Sequence, residues 1–379
     1  MRRGLILWGV LSACGFRPAA TTSDANGSDA TADARPDAAP PNTNGYDKTI
    51  TVQGSQVAGD VTGFPTWIAL SNDPDLGAYA RADHSDIYFL DNTGAATPYE
   101  ITAWDKSTGT LQAWVRATHL TPNPGMQNPN VFHLRFGGVT APRASDGSAV
   151  FDNNFSAVWH LDSLAATTVA DATATTPGTL VGTATPSAGQ LGNGLTFTGT
   201  SSSVSFTSPI TGDGSSTMSA WVEEAPTASA YSYALIVIGT AQANQARWFY
   251  AMHGAHNQTV CAGLYSDDHV PSSADVLPAT TWKKVDWVYD STAMRSHLYV
   301  DGSDVDGGVA VGPASTTSTA GMFANAPVAY QSFGTTAFNG VLDEVRIAKT
   351  ARSANWLRTE YNNEHAPSSF YVVGPATPL

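Results

Sequence analysis

Alternating apolar and polar positions recur along most of this chain, and they predict strands rather than helices. The segment at residues 46–52 alternates at period two, and five similar short segments follow before residue 137. Polar turns separate them, such as the glycine-containing turn at residues 92–94. Six short strands without a convincing helix predict an antiparallel β-sandwich over residues 45–140.

Strand patterns resume after a polar connector at residues 141–153. They begin near Ala157 and continue to residue 347, again with turn residues between them. Asp301-Gly302 is a strong two-residue turn signal, because a type I′ turn needs positive φ at both central residues. We therefore expect a second antiparallel β-sandwich over residues 154–376, and an all-β fold for the folded part of the chain.

The last of these patterns predicts a strand followed by a short helix. Gly340 marks the start of the strand, and Ser353 is placed to act as the helix N-cap. In a helix over residues 354–362, three apolar side chains would share one face: Trp356, Leu357 and Tyr361. A helix of this length is unstable alone, so we expect it to pack as a lid on the edge of the second sandwich.

The N-terminus has the features of a bacterial export signal. Two arginines precede an apolar run at residues 4–10, which is too short to span a bilayer as a folded helix. The Leu-Ser-Ala-Cys segment that follows resembles a lipobox, which predicts a signal peptide over residues 1–13 and a diacylglycerol on Cys14. Gly15, rather than Asp, is compatible with sorting to the outer membrane. The alternative is an ordinary secretory signal with a chance cysteine.

Residues 14–44 consist largely of Ala, Asp, Thr, Ser and Pro. Such a segment buries too little apolar surface to offset the cost of ordering its backbone, so we expect a disordered tether. A tether between a lipid anchor and folded domains would hold the domains off the membrane. The sequence therefore predicts an exported protein that is lipid-anchored in the outer membrane or at the cell surface, with a secreted protein as the alternative.

Charge and cysteine content narrow the function classes. The formal net charge is −14, and 18 lysines and arginines are too few to expect a nucleic-acid partner. The two cysteines are Cys14 and Cys261, so lipidation of the first leaves no disulfide. Cys261 lies in an apolar strand pattern and should be buried, because a free cysteine packs like a small apolar residue. A catalytic role is not expected, since a catalytic thiol would need a neighbouring base.

Four segments of the first predicted domain carry a family resemblance. They include Phe64-Pro65, residues 85–89, residues 98–101 and residues 113–116, and their order resembles the bacterial module called domain of unknown function 2341. The resemblance covers residues 46–138. The family usually ends in aromatic residues followed by Gly-Asn, whereas this chain has Phe-Gly-Gly. The resemblance implies no known chemistry.

A longer series of segments characterises the second predicted domain. It consists of residues 159–162, 192–195, 219–222, 282, 298–302 and 340–347. Their order resembles the laminin-G-like, concanavalin A-like jelly roll, over about residues 154–374. The resemblance implies surface binding of a carbohydrate or of another surface protein through the loops of the jelly roll.

The same resemblance implies a structural calcium ion. Jelly rolls of this kind often hold Ca²⁺ with carboxylate and carbonyl oxygens from neighbouring loops. The positions that match are Asp162 on the first strand, Asp171 in its loop and Asp343 on the last strand. In the alternative interpretation, Asp343 and Glu344 pair with arginines or are solvated.

The jelly-roll fold also occurs in β-glucanases, so a hydrolase of this fold is an alternative function. Retaining enzymes of that type place their carboxylates as Glu-x-Asp-x-x-Glu, so that residues two apart share a strand face. This spacing does not occur in the chain. Glu223-Glu224 and Asp343-Glu344 are adjacent and should point to opposite faces of a strand. No catalytic residue is therefore predicted, although a pair from separate strands stays open.

The remaining candidates favour structural roles. His253 and His256 have no further ligand at zinc spacing, so they are expected in a polar loop. Trp248, Tyr250 and Trp282 are expected to pack in cores rather than to serve as sugar-stacking platforms. The sequence thus favours a non-catalytic binding protein of the cell surface, with a glycan hydrolase and a structural spacer of the envelope as alternatives.

Overall fold

The computed structural model describes residues 44–126, 128–199, 202–226, 232–252, 259–269, 276–326 and 335–379. The predicted signal peptide, Cys14, all but the last residue of the predicted tether, and the His253–His256 loop lie outside the described residues. Within the described part, the chain is built almost entirely of antiparallel strands, as the sequence predicts.

Six strands and two short helices precede the second sandwich. Their bounds are β1 (Tyr46–Val52), β2 (Val61–Leu70), α1 (Pro74–Tyr79), β3 (Tyr88–Asp91), β4 (Tyr99–Asp105), β5 (Thr110–Leu120), β6 (Val131–Phe136) and α2 (Gly147–Val150), with a 3₁₀ turn at Gly54–Gln56. The six predicted strands are all present. Helix α1 is an addition, because Asp73 caps it by accepting from the backbone N–H of Asp75 and Leu76, and Pro74 suits a first turn.

The second sandwich and the C-terminal segment follow. Their strands are β7 (Phe155–Trp159), β8 (Thr168–Val169), β9 (Gly178–Val181), β10 (Thr185–Ala188), β11 (Asn193–Thr198), β12 (Ser203–Thr207), β13 (Ser216–Glu224), β14 (Ser232–Gly239), β15 (Ala246–Met252), β16 (Thr259–Leu264), β17 (Asp267–His269), β18 (Lys283–Asp290), β19 (Arg295–Val300), β20 (Ser303–Asp304), β21 (Val309–Ala310), β22 (Ala320–Phe323), β23 (Thr335–Thr336) and β24 (Asn339–Ala348). The segment after β24 contains α3 (Ala354–His365), α4 (Pro367–Phe370), β25 (Tyr371–Val373) and β26 (Thr377–Pro378).

Two nine-stranded sheets form the second sandwich. One sheet runs β10-β11-β24-β13-β18-β19-β20 and carries β7 and β21. The other runs β17-β16-β15-β14-β22-β12-β9-β8 and carries β23. Strand β24 lies inside its sheet and pairs with β7, with Val345 opposite Trp159. The last long strand of the jelly roll therefore pairs with its first strand.

Buried aromatic and aliphatic side chains fill the jelly roll between these sheets. Trp159, Trp287 and Phe338 lie in this core and are no more than 1% exposed. Trp248 and Tyr250 belong to a smaller buried cluster that also contains Cys261, so the expected core roles of these three residues are confirmed. The Cys261 thiol is buried and lies 3.0 Å from the sulfur of Met252.

The first sandwich is completed by the C-terminal segment. Its sheets are β25-β1-β6-β3, with β26 also on β1, and β2-β5-β4. The phenol oxygen of Tyr371 accepts from the Ala69 N–H at 2.8 Å and donates to the Ala69 carbonyl at 3.0 Å. Strands β25 and β26 pair with β1. Residues 371–376, which were predicted to belong to the second domain, therefore extend a sheet of the first sandwich. By its internal contacts, the chain from Asn42 to Leu379 forms one unit.

Helix α3 is wedged between the two sandwiches, which corrects its predicted position as a lid on an edge. Trp356 and Leu357 enter the core of the first sandwich. The amide of Asn363 accepts from the Trp67 N–H at 2.6 Å and donates to the Trp67 carbonyl at 3.0 Å. The predicted N-cap is confirmed, since Ser353 accepts from the Trp356 N–H at 3.2 Å.

The predicted turn at Asp301-Gly302 is also confirmed. The φ angles are 52° at Asp301 and 66° at Gly302, as a type I′ turn requires. A Cβ on Gly302 would lie 2.9 Å from the Cα of Arg358, so the turn also seats helix α3 against the jelly roll. None of the helices in the described part of the chain is both long and apolar enough to cross a membrane.

Candidate functional site

A bulge in β24 places two acidic side chains on the same face of the strand. The register between β13 and β24 shifts between Ser219 and Trp221, and Glu344 has a φ of 49°. Leu342 and Val345 both point into the jelly-roll core, with two residues between them instead of one. Asp343 and Glu344 therefore both turn away from that core. The expectation that these neighbours point to opposite faces is wrong, because it assumed a regular strand.

His160, directly after β7, links the two sandwiches. Its Nδ1 donates to the Glu344 carboxylate at 2.8 Å, and its Nε2 donates to Glu100 of strand β4 at 3.1 Å. Burial alone would lower the pKa of His160, but the carboxylates of Glu344 and Glu100 raise that pKa well above its usual value. The imidazolium is therefore the favoured form, and it forms an ion pair with one carboxylate from each sandwich.

The ring of His160 is also fixed by aromatic neighbours. It stacks on Trp114 with a centroid separation of 5.9 Å and an interplanar angle of 12°, and Phe151 lies 5.6 Å away. His160 also lines an open cleft.

This cleft, which we call the junction cleft, has a volume of about 290 Å³. Its lining residues come from both sandwiches and are predominantly polar: Glu100, Thr102, His160, Leu161, Asp162, Ser163, Ala170, Asp171 and Ala172. Leu161 has a φ of 65°, and this left-handed residue sets the chain direction between His160 and Asp162.

Asp162 is a carboxylate of the junction cleft whose surroundings favour its protonated form. Its burial raises its pKa to about 6, and the charges of Glu344 and Glu100 act in the same direction. The N–H of Asn193 donates to Asp162 Oδ1 at 2.9 Å and favours the ionised form. Asp162 can therefore exchange a proton near neutral pH.

Asp343 lies behind the cleft, and one of its oxygens has no partner among the described residues. The Leu191 N–H donates to its Oδ2 at 2.8 Å, while Oδ1 is buried and accepts no hydrogen bond from the described part of the chain. Burial raises the pKa of Asp343 well above its usual value, and the nearby Glu344 and Asp162 carboxylates raise it further. The structure thus brings Asp343 and Asp162 close enough to interact electrostatically.

Asp171 has a different role from the one the calcium prediction gives it. Its Oδ1 accepts from the N–H groups of Val158 and Thr173, at 2.8 and 3.1 Å. Its Oδ2 accepts from the Thr173 hydroxyl at 2.6 Å and from two further N–H groups, those of Thr175 and Thr176. Both oxygens are committed to holding the loop after β7, so Asp171 offers a cation little.

The three predicted calcium ligands do not form one coordination group. Among the described residues, potential ligands whose atoms all lie within 4.8 Å of one another occur at His297, Asp304 and Asp306, not at the three predicted aspartates. Asp162 and Asp343 retain oxygens suited to Ca²⁺, and the unpaired Asp343 Oδ1 is the observation that favours an ion there. Calcium binding itself stays a prediction.

A network of buried charges extends the site toward helix α3. Arg346 lies at 2.9 Å from Glu344, 2.7 Å from Glu360 and 2.6 Å from Glu364, and its guanidinium stacks 4.7 Å from the Trp114 ring. This confirms the alternative interpretation that Glu344 pairs with an arginine. Burial raises the pKa of Glu364 to about 7 against the opposing effect of Arg346.

A second cation completes this network. Lys284 lies at 2.6 Å from Asp286 and 2.9 Å from Glu360, and all three side chains are no more than 3% exposed. Because Glu360 contacts both Arg346 and Lys284, the network ties α3 to β24 and β18, the two strands on either side of β13 in one sheet of the jelly roll. Its role is to fix the orientation of Glu344 and, through it, of His160.

Sequence reasoning missed Glu100 and His160. Glu100 lies in the first sandwich and contacts His160, which is 60 residues away in the chain. No local pattern predicts a contact across two domains. A weak signal was present at His160, a polar residue that ends the apolar strand β7 within the segment 159–162.

The second sandwich consists of two nine-stranded, predominantly antiparallel sheets, and it is a concanavalin A-like jelly roll. More specifically, residues 198–358 match the family model of the concanavalin A-like lectin/glucanases superfamily. The resemblance of residues 46–138 to the domain of unknown function 2341, and the lipoprotein signal, stay predictions. A comparison with curated protein sequences found no match.

Three solved structures are similar to parts of this chain. Domain 4 of the arabinanase AbnA from Geobacillus stearothermophilus, in complex with arabinotriose, is 18% identical with a TM-score of 0.43, covering 55% of this chain and 98% of that one. The binding domain of Paraclostridial Mosquitocidal Protein 1 is 11% identical with a TM-score of 0.40, covering 56% and 52%. Trypanosoma rangeli sialidase in complex with sialic acid is 12% identical with a TM-score of 0.41, covering 71% and 45%. The chain thus spans about half the length of the last two, and likeness at this level says nothing of a ligand.

Proposed function

We propose that this protein is a non-catalytic carbohydrate-binding protein and that the junction cleft is its ligand site. The observation that carries the proposal is the lining of the cleft, where carboxylates, an imidazole and hydroxyls converge from both sandwiches. Such groups match the neighbouring hydroxyls of a sugar, which need paired donors and acceptors. The volume of about 290 Å³ suits a ligand end or a single sugar unit rather than a long chain.

The contacts of the cleft favour binding over hydrolysis. Glu100 and Glu344 are both engaged by His160, and Glu344 is also held by Arg346. A nucleophile or general base must be free to approach the substrate, so carboxylates held in ion pairs are better suited to fixed hydrogen bonds. Binding would then be oriented by Asp162 and Glu100, with His160 holding Glu100 in position.

A glycan hydrolase is the second candidate, and one observation favours it. Asp162 has a pKa raised to about 6, as a general acid near neutral pH requires, and Glu100 lies in the same cleft as a second carboxylate. In that case Asp162 would protonate the leaving oxygen while Glu100 acted on the opposite side. Two carboxylates from separate sandwiches are the arrangement that the sequence motif could not test.

Retention and turnover on polysaccharides separate these candidates. The full chain would be screened for retention on a panel of glycans and for release of reducing ends, together with Asp162→Asn and Glu100→Gln. The matched control is Asp60→Asn, which changes an exposed acid of the first sandwich outside the cleft. We expect the parent chain to be retained on a glycan without releasing reducing ends. Asp162→Asn should weaken this retention at least tenfold, and Asp60→Asn should leave it unchanged.

Other outcomes would change the assignment. Reducing ends released by the parent chain but not by Asp162→Asn would establish the hydrolase. No retention on any glycan, together with envelope proteins that co-purify with the chain, would favour a protein partner or a structural spacer.

Two further parts of the proposal concern the surroundings of the domains. We propose that the chain is exported and anchored to the outer membrane or cell surface through a lipid on Cys14. We also propose a structural Ca²⁺ between Asp162 and Asp343. The unpaired oxygen of Asp343 and the mutual repulsion of the two carboxylates support the ion.

A further inference from the structure

A mixed group of a histidine and two aspartates lies on the jelly roll, separate from the residues that line the junction cleft. His297 belongs to β19, Asp304 ends β20, and Asp306 lies in the turn that follows. Their potential ligand atoms all lie within 4.8 Å of one another. His297 Nδ1 and Asp304 Oδ2 are 3.0 Å apart. Two ligands bound at about 2.1 Å to one ion stand roughly 3 Å apart, so these atoms need little movement to share a metal.

We propose that His297, Asp304 and Asp306 bind a divalent transition-metal ion. The carboxyl groups of Asp304 and Asp306 lie close together, with ligand atoms within 4.8 Å of each other. A bound cation would offset the repulsion between two ionised carboxylates at this distance.

Both carboxylate ligands accept hydrogen bonds from groups outside the proposed coordination sphere. Asp304 Oδ1 accepts from the N–H groups of Asp306 and Gly307, at 3.0 and 2.7 Å, which leaves Oδ2 toward His297. Asp306 Oδ2 accepts from the Leu298 N–H at 2.9 Å. Supporting hydrogen bonds of this kind orient carboxylate ligands before the metal arrives.

A second histidine supports the deeper side of the group. His269 Nε2 lies 3.2 Å from Asp306 Oδ2, and both side chains are buried, at 5% and 2% exposed. His269 comes from β17 of the opposite sheet, so the support crosses the sandwich. The His297 ring lies directly on Gly308, where a Cβ would come within 2.2 Å of it, and this contact fixes the plane of the imidazole.

The donor set indicates the class of metal. An imidazole nitrogen with two carboxylates suits Zn²⁺ or a similar transition metal better than Ca²⁺, which prefers an all-oxygen shell. The side chains of His297 and Asp304 are 28% and 30% exposed, so water can complete the coordination from the solvent side. The site is therefore chemically distinct from the proposed calcium position at Asp162 and Asp343.

Calorimetry on the full chain tests the proposal. After treatment with EDTA and dialysis, Zn²⁺ and Ca²⁺ would be titrated separately into the parent chain, His297→Gln and Asp304→Asn. The matched control is His119→Gln, because His119 also faces an aspartate, Asp60 at 3.7 Å, but is outside the three-residue group. We expect one Zn²⁺ per chain, an affinity at least tenfold lower in both site variants, and no change in the control or in any Ca²⁺ binding.

Spectroscopy of the Co²⁺-loaded chain gives a second measurement. The d–d absorption of bound Co²⁺ should be present in the parent chain and in His119→Gln, and it should be lost in His297→Gln. Thermal melting without metal would show that both site variants are folded. The proposal is overturned if the parent chain binds no Zn²⁺, or if His297→Gln binds it as tightly as His119→Gln does.

Discussion

Replacement of Arg346 tests whether the buried charge network holds helix α3 on the jelly roll. In Arg346→Met, the side-chain volume is approximately kept while the positive charge is removed. Three carboxylates within 2.9 Å of the guanidinium then lose their shared partner. Lys284 still neutralises Glu360, but Glu364 is left with no cation within ion-pairing distance among the described residues.

The expected magnitude follows from the burial of this network. The Arg346 side chain is 3% exposed, and those of Glu344, Glu360 and Glu364 are no more than 3% exposed. Breaking a buried ion pair by removal of one partner costs about 3–5 kcal/mol, because the other charge stays buried. Loss of the stacking on Trp114 adds about 1 kcal/mol. We therefore expect the free energy of unfolding to fall by about 4–6 kcal/mol at pH 7.

Urea denaturation monitored by tryptophan fluorescence measures this change. The matched control is Arg358→Met on the same helix, since Arg358 is exposed and, among the described residues, its guanidinium donates only to Asp301 and Ser303 at the surface. Its cost should stay below about 1 kcal/mol. The double variant Arg346→Met/Glu364→Gln should recover part of the loss, because it removes the unpaired carboxylate as well.

The pH dependence of the stability loss in Arg346→Met is a second, independent test of the charge network. Burial already raises the pKa of Glu364 to about 7, and without Arg346 this carboxyl binds its proton still more tightly in the folded state than in the unfolded state. The loss in Arg346→Met should therefore shrink as the pH falls from 7 toward 5. If Arg346→Met is no more destabilising than Arg358→Met, or if its loss is independent of pH, the network does not stabilise the junction as argued.

Three further predictions concern the junction and the chain terminus. Glu344 and Glu100 raise the pKa of His160 in the folded state well above the unfolded value of 6.5, so the stabilisation by His160 is complete below pH 6.5 and is lost as the pH rises through the folded-state pKa. The difference in unfolding free energy between the parent chain and His160→Gln should therefore be larger at pH 6 than at pH 9. An equal difference would show that the imidazole is not charged. Calcium should raise the melting temperature of the parent chain but not of Asp343→Asn, and unchanged melting after EDTA treatment would remove the calcium proposal. Cys14→Ser should move the protein from the membrane fraction to the soluble fraction in cell fractionation, and a variant that stays membrane-bound would show that the lipobox interpretation is wrong.

Most of the fold could be predicted from the sequence because each strand has its own local pattern. The alternation of apolar side chains sets which face of a strand is buried, and the turn at Asp301-Gly302 needs only the two residues that form it. The N-cap of Ser353 is equally local. These features depend on residues that are close together in the chain.

The junction could not be predicted in the same way. Glu344 reaches His160 only because a bulge in β24 changes the face of one residue, and the alternation rule has no means to place a bulge. The position of helix α3 depends on the partners of Glu360 and Glu364, which come from distant strands. Buried charges resemble solvent-exposed ones in a sequence, so nothing local marks Glu360 and Glu364 as buried.

The pairing of β25 with β1 has a consequence for biosynthesis. Tyr371 and Ala69, which share two hydrogen bonds, are 302 residues apart. At translation rates of about 5–20 residues per second, the ribosome needs roughly 15–60 s to deliver Tyr371 after Ala69. During that interval the sheet edge at β1 and the apolar surface that later receives Trp356, Leu357 and Phe370 are uncovered. The first sandwich to be synthesised is therefore the last to be finished, and a chaperone that shields open sheet edges would act there.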